Sequence, residues 1–514
     1  LFAHRGLTTP GGQCQAARVD GFANDSHQMH CLHASIRMLT HQLHQCIVQR
    51  IAVAQAAHAY QSLDQSFHVV VVPIDPTQYV PAMLTVSSLA ICLPACFNIL
   101  DDPMTPLAND TQYISPDCLD GLQRSGLQPL HLAGRTLLPI VQGGMGIGIS
   151  GNRLAGSVAA VGGVGTLSAV DLRRHHPDLM DQTRELPPGE AAKDGINQAN
   201  LEALGREIKA ARERTGGKGL LAVNVMRAVA EYAACVTKAL ESGIDAVVVG
   251  AGLPLDLPDL AKDHPKAALI PILSDARGVQ LLVKKWERKK RLPDAIVIEH
   301  PRLAGGHLGA AKIADLQDTR FDFENVIPQV RQFFKDAGYE KDIPLIAAGG
   351  INSFEDIARL QAMGASAVQL GTAFAVTEES DAHAEFKRVL AEARPEDMVE
   401  FTSVAGLPAR AVATPWLRAY LKIEPRLQAV AHVKARCTKS FDCLAQCGLR
   451  DGLQGWGQFC IDNQLAAALR GDLKKGLFFR GAGTLPFGDQ IRSVRELMQR
   501  LLTPATGSYT LQQA

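Results

Sequence analysis

At 514 residues the chain can hold a barrel-sized core of about 200 residues together with additional segments. Its formal net charge is zero and 20% of its residues are charged, which argues against a nucleic acid or other polyanion as partner. Aromatic residues, at 5%, suit an aliphatic α/β core better than a surface for stacking bases.

Residues 1–103 contain no lysine and no glutamate, yet carry eight of the sixteen histidines. A folded domain draws on both missing residues for its solvated helix faces. Three readings compete: a disordered tail, a His/Cys-rich metal-binding region (His27, His30, Cys31, His33), or sequence upstream of the true start. The change of texture at Met104 favours the last and makes Met104 the expected initiator. An intact-mass measurement on natively expressed protein tests it. The apolar run 83–100 is interrupted by Pro94 and has no charged flanks, so a non-spanning segment is expected. Residues 104–137 are expected to lead into the first domain.

From residue 138 short apolar runs alternate with amphipathic segments. The runs are 138–142, 163–168, 219–225, 245–250, 268–274, 294–299, 343–349 and 366–371. Continuous apolar runs suit strands covered on both faces, as in a parallel sheet. Helical patterns fall between them, among them 200–214, 278–291, 325–337 and 354–363. Eight such units predict a closed (β/α)8 TIM barrel over 138–381. A doubly wound open sheet is the rival, but it has fewer strands and places its glycine fingerprint after the first. Here glycine follows nearly every strand. Beyond 382 the strand signal vanishes, and helical patterns at 384–393, 464–469 and 494–502 predict a helical C-terminal extension to 514.

Strand seven ends in Ala347-Ala348-Gly349-Gly350-Ile351 and strand eight in Gln369-Leu370-Gly371-Thr372-Ala373. In barrels these two loops offer free backbone N–H groups to a phosphate. At strand one, Gln142-Gly143-Gly144-Met145-Gly146 sets a bare backbone edge and an amide at the barrel mouth, as a flat flavin ring requires. Asn224 ends strand three in the same manner; a solitary buried asparagine is otherwise a satisfied core polar group. After strand six runs Glu299-His300-Pro301-Arg302-Leu303-Ala304-Gly305-Gly306-His307. His307, on a glycine-rich loop over the mouth, is the candidate acid, base or anion-orienting group; His300, nearer the strand, is expected to be structural.

In this order QGGMG, AVNV, AGGHLG, IAAGGI and VQLGTAF resemble the nitronate monooxygenase (2-nitropropane dioxygenase) family and the related flavin-dependent enoyl-ACP reductases. The resemblance covers roughly 138–375. It implies an oxidoreductase with non-covalent FMN, the phosphate resting on Gly349, Gly350, Gly371 and Thr372. Gln142, Gly143, Gly144, Met145 and Asn224 would lie near the ring, with Gly305, Gly306 and Gln369 completing the site. His307 matches the family's active-site histidine. The family often has Glu-Ala-Gly-Gly-His, whereas this chain has Leu303 there and carries its carboxylate at Glu299. The implied reaction oxidises alkyl nitronates with O2 to carbonyl compounds and nitrite. The alternatives are an NAD(P)H-dependent flavin reductase of quinones or enoyl thioesters, and a non-catalytic flavin or metal-cluster scaffold.

The late cysteines, Cys437-x5-Cys443-x3-Cys447-x12-Cys460, are compact enough to hold zinc or an iron–sulfur cluster, although the spacing fits no standard zinc pattern and cysteine is also a small core residue. The eleven cysteines form no small secreted disulfide framework, so a cytoplasmic protein is expected, with a small-molecule substrate and neither nucleic acid nor membrane as partner.

Overall fold

The computed structural model describes residues 110–505 except 188, 340–341, 434–436, 438 and 440. Residues 1–103, Met104 and the apolar run 83–100 lie outside the described residues.

Two short strands, β1 (Leu130–Leu132) and β2 (Arg135–Leu137), form an antiparallel hairpin. The barrel strands follow: β3 (Ile140–Gln142), β4 (Val164–Ser168), β5 (Leu220–Met226), β6 (Ala246–Gly250), β7 (Ala268–Leu273) and β8 (Ile296–Glu299). After a two-residue strand outside the barrel, β9 (Gly306–His307), come β10 (Leu345–Ala348) and β11 (Ala367–Leu370). All eight barrel strands pair in parallel, and β11 closes on β3 through Gln369 opposite Val141 and Leu370 opposite Gln142. Every expected run became a strand, within one or two residues.

The pattern follows from burial on both faces. In β6 all five residues are buried. Val247, Leu269 and Ile298 face outward into a core shared with helix residues such as Val279, Leu282 and Trp286. Alternate residues, Leu220, Ala222, Val248 and Ile346 among them, fill the barrel interior. Leu130, Leu132 and Leu137 of the hairpin join that inner cluster and cap the end where the strands begin. The other end, where the strands finish, is left for a ligand. Helix starts between strands are capped by side chains: Asp275 accepts from the Gly278 N–H at 2.7 Å, and Ser353 from the Asp356 N–H at 3.2 Å.

The extension departs from the all-helical expectation. Helices Ala384–Glu392, Pro415–Ala429, Ile461–Leu469 and Val494–Leu501 are present, but so are β12 (Met398–Thr402) and β13 (Pro408–Val412), an antiparallel pair. β13 also pairs with β9, making a three-stranded sheet beside the barrel mouth. The segment Pro408–Val412 contains one β-branched residue, so its own propensity is weak; the strand exists because partners lie on both sides of it. No helix among the described residues is long and apolar enough to cross a membrane.

Candidate active site

A cavity of about 590 Å3 opens at the end of the barrel where the strands finish, within the range of small-molecule and cofactor sites. Gly349, Gly350, Gln369, Gly371 and Thr372 line one side of it. Gly349 and Gly350 have φ of 110° and 74°, backbone that side chains with a Cβ adopt at a cost. A Cβ at Gly371 would meet only the Met145 sulfur, at 3.8 Å, so the space over it is open. The backbone N–H groups of Gly350, Gly371 and Thr372 have no acceptor among the described residues. Buried or half-buried donors left this way are costly unless a ligand or water accepts from them.

Gly143, Gly144, Met145 and Asn224 line the neighbouring wall. The Asn224 side chain has no hydrogen-bond partner among the described residues, so its amide is available to a ligand. Gln142 departs from expectation. It is fully buried and not part of the wall: its amide oxygen accepts from the Thr166 N–H at 2.9 Å and its amide nitrogen donates to the Thr166 carbonyl at 3.0 Å. That pairing ties β3 to β4. The strand alternation that turns Gln369 toward the cavity turns Gln142 into the sheet.

On the third side, the loop after β8 carries Glu299, Gly305, Gly306 and His307. Pairing of β9 with β13 sets His307 opposite Ala409, and the Leu308 N–H donates to the Pro408 carbonyl at 2.8 Å. Arg410, buried and paired with Glu400 at 2.5 Å, donates to the Ala304 carbonyl and so pins the loop. His307 Nε2 lies 3.0 Å from Ser403 Oγ, and its ring packs against Phe479. Enclosure by the cavity walls draws His307 down to about 4, so it is neutral at physiological pH. The same burial pushes Glu299 up to about 7. Thus one imidazole and one carboxyl share the cavity, both biased toward their uncharged forms. His300 is elsewhere: buried, 3.2 Å from Asp322 and edge-on to Phe323, it is a structural residue as expected.

A family model described as nitronate monooxygenase matches residues 131–503, most of the chain. The chain belongs to the nitronate monooxygenase family. It is an enzyme, a flavin-dependent oxidoreductase. A probable nitronate monooxygenase of Bacillus subtilis (strain 168) is 28% identical over 286 residues, 54% of this chain and 77% of the relative. One from Staphylococcus aureus (strain JH9) is 24% identical over 284 residues, 53% and 75% of the two chains. Among solved structures, FabK from Thermotoga maritima is similar with a TM-score of 0.50 and 22% identity, over 76% of this chain and 95% of that one. Nitroalkane oxidase from Streptomyces ansochromogenes gives 0.50 and 21%, over 74% and 96%. At such identities these two likenesses speak for the fold alone.

In this nitronate monooxygenase-family chain the late cysteines, left open by their spacing between a metal centre and core packing, give the metal alternative no support. Among the described residues no group of three or more His, Cys, Asp or Glu is arranged to hold a metal ion. Cys437, Cys443, Cys447 and Cys460 are free thiols, and burial is the main influence on Cys443, Cys447 and Cys460, raising the pKa of each. Cys443 and Cys447 pack in an apolar cluster with Phe401, Leu417 and Phe459. Small buried residues are what that cluster requires. Sequence reasoning missed Ser403, Arg410 and Arg480, all from the extension. Of the three only Arg480 has a local signal, the glycine-flanked run 476–483 in which it sits.

Proposed function

We propose that this enzyme is an FMN-dependent nitronate monooxygenase, oxidising an alkyl nitronate with dioxygen to a carbonyl compound and nitrite. The observation that supports it most is the meeting, in one cavity, of open backbone donors after β10 and β11 with a neutral imidazole, His307. The residues present fit FMN. Gly349, Gly350, Gly371 and Thr372 would hold its phosphate, Gly143, Gly144 and Met145 the ring, and the Asn224 and Gln369 amides the ring's polar edge; Gly305 and Gly306 would let the β8 loop approach. FMN bound there would supply the electron-transfer and oxygen chemistry that side chains lack.

The chain's own groups have distinct parts. With Nε2 engaged by Ser403, Nδ1 of His307 is left to orient the nitronate oxygens or to move a proton. Glu299, protonated up to about pH 7, spares an anionic substrate the repulsion of an ionised carboxylate. Apolar wall residues such as Val170, Met226, Leu253 and Leu303 suit an alkyl chain. The proposal takes a small molecule and dioxygen as partners and the cytoplasm as location, the latter checked by fractionation.

The deciding experiment is oxygen uptake by purified protein given a nitronate without NAD(P)H. Uptake with matching nitrite release, by a yellow protein, is the expected result. Fast anaerobic bleaching by NAD(P)H with no nitronate-dependent uptake would instead make it a reductase of quinones or enoyl thioesters. A colourless protein that takes up no FMN would remove catalysis from the account.

A further inference from the structure

Among the described residues three arginines are buried: Arg173, Arg410 and Arg480. A guanidinium stays charged in a protein, so each must find compensation for its lost hydration. Arg173 has it from Asp171 at 3.0 Å and Arg410 from Glu400 at 2.5 Å. Arg480, only 4% exposed, has no carboxylate. Its three hydrogen bonds all end on carbonyl oxygens: Nε on Leu390 at 2.8 Å, and Nη1 on Gly481 at 2.8 Å and Gly483 at 3.1 Å. Nη2 has no acceptor among the described residues. Burial alone acts on its pKa, lowering it, and no neighbouring charge offsets that effect.

Arg480 lines the cavity, and its position there is specific. The next residue, Gly481, donates from its N–H to Thr372 Oγ1 at 3.0 Å. A Cβ at Gly483 would lie 3.6 Å from the Gly350 Cα. The segment 480–483 is thus laid against both glycine loops that present open backbone donors. A buried cation without a carboxylate partner and a set of unspent N–H groups beside it call for the same ligand: a compact anion with several acceptor oxygens.

We propose that Arg480 is the counter-ion of the cofactor's phosphate, so that one anion site is built from barrel backbone and from a charge supplied by the C-terminal extension. This rests on the FMN reading above. It adds that the extension takes part in retaining the cofactor, and that phosphate-free flavin is held poorly.

The test titrates deflavinated full-length protein with FMN and with riboflavin, following quenching of flavin fluorescence. Wild type is expected to prefer FMN strongly. Arg480→Gln should weaken FMN by about tenfold to a hundredfold, the range for a charge-assisted hydrogen bond, and leave riboflavin unchanged. Arg480→Lys should fall between. An equal loss for both flavins in Arg480→Gln would make the residue a packing element and overturn the proposal. So would a raised KM for nitronate with FMN affinity intact, which would assign the charge to the substrate. Wild type needs no variant to fold: if it binds riboflavin as tightly as FMN, no charged phosphate site exists. If it binds neither, the FMN reading itself fails, an outcome distinct from the others.

Discussion

His307 owes its neutral state to enclosure, and its direction to Ser403. Replacing it by alanine removes the orienting or proton-moving group but touches none of the phosphate loops. Turnover with nitronate is expected to fall by about 10^2 to 10^4, the range for a lost acid–base group, while the bound-flavin absorption band persists. Ser403→Ala withdraws the partner of Nε2 together with the acceptor of the Ala405 N–H in the adjoining turn; kcat should drop about fivefold, as for one net hydrogen bond, with KM little changed. Glu299 carries a separate prediction. Its carboxyl acquires charge only as pH rises through about 7, so nitronate affinity should weaken across that interval. In Glu299→Gln the charge never appears, and the alkaline decline in kcat/KM near pH 7 should vanish; a decline that persists would assign it to another group.

At the scale of elements, what holds the active loop is the union of β9 with β13 and the close passage of the loop under residues 480–481. A Cβ at Gly305 would collide with the Arg480 carbonyl carbon and the Gly481 nitrogen, backbone atoms that cannot rotate away. Gly305→Ala should therefore force the extension off the loop, lowering both flavin content and the melting temperature. A second junction joins the loop after β4 to the extension's helix Ile461–Leu469. Asp462 pairs with Arg174 at 2.9 Å and with Lys439, while Asp171 beside it is pushed up to about 6, chiefly by burial and then by Asp462. Asp462→Asn breaks a buried pairing with two cations and is expected to cost about 3 kcal/mol in urea unfolding. The four cysteines belong to this scale as well: Cys447 is a core member of the apolar cluster around Phe459 and Cys443 packs against it, an arrangement that compact spacing alone could not distinguish from a metal site.

For the whole molecule, barrel and extension act as one site-bearing body: the barrel contributes the donors, and the extension contributes Arg480 to the cavity wall while its Ser403 and Arg410 hold His307 and its loop. The barrel was legible because each strand declares itself over a few adjacent residues, and because glycine at a strand's end is a local mark of the open face. His307 and the two glycine loops could be read for that reason. Gln142 could not be placed, since whether a terminal side chain faces cavity or sheet depends on strand tilt and on an amide–backbone pairing across to Thr166. The strands β12 and β13 escaped because their stability comes from pairing rather than from residue type. Ser403 and Arg480 lie 96 and 173 positions beyond His307, and no local pattern ties them to it. By itself the sequence determined the eight-strand frame, the open donors and the imidazole, all written in short-range periodicity. Tertiary structure alone decided which distant side chains set that imidazole's partner and bring an unpaired cation to the mouth, because burial and charge compensation are properties of the assembled chain.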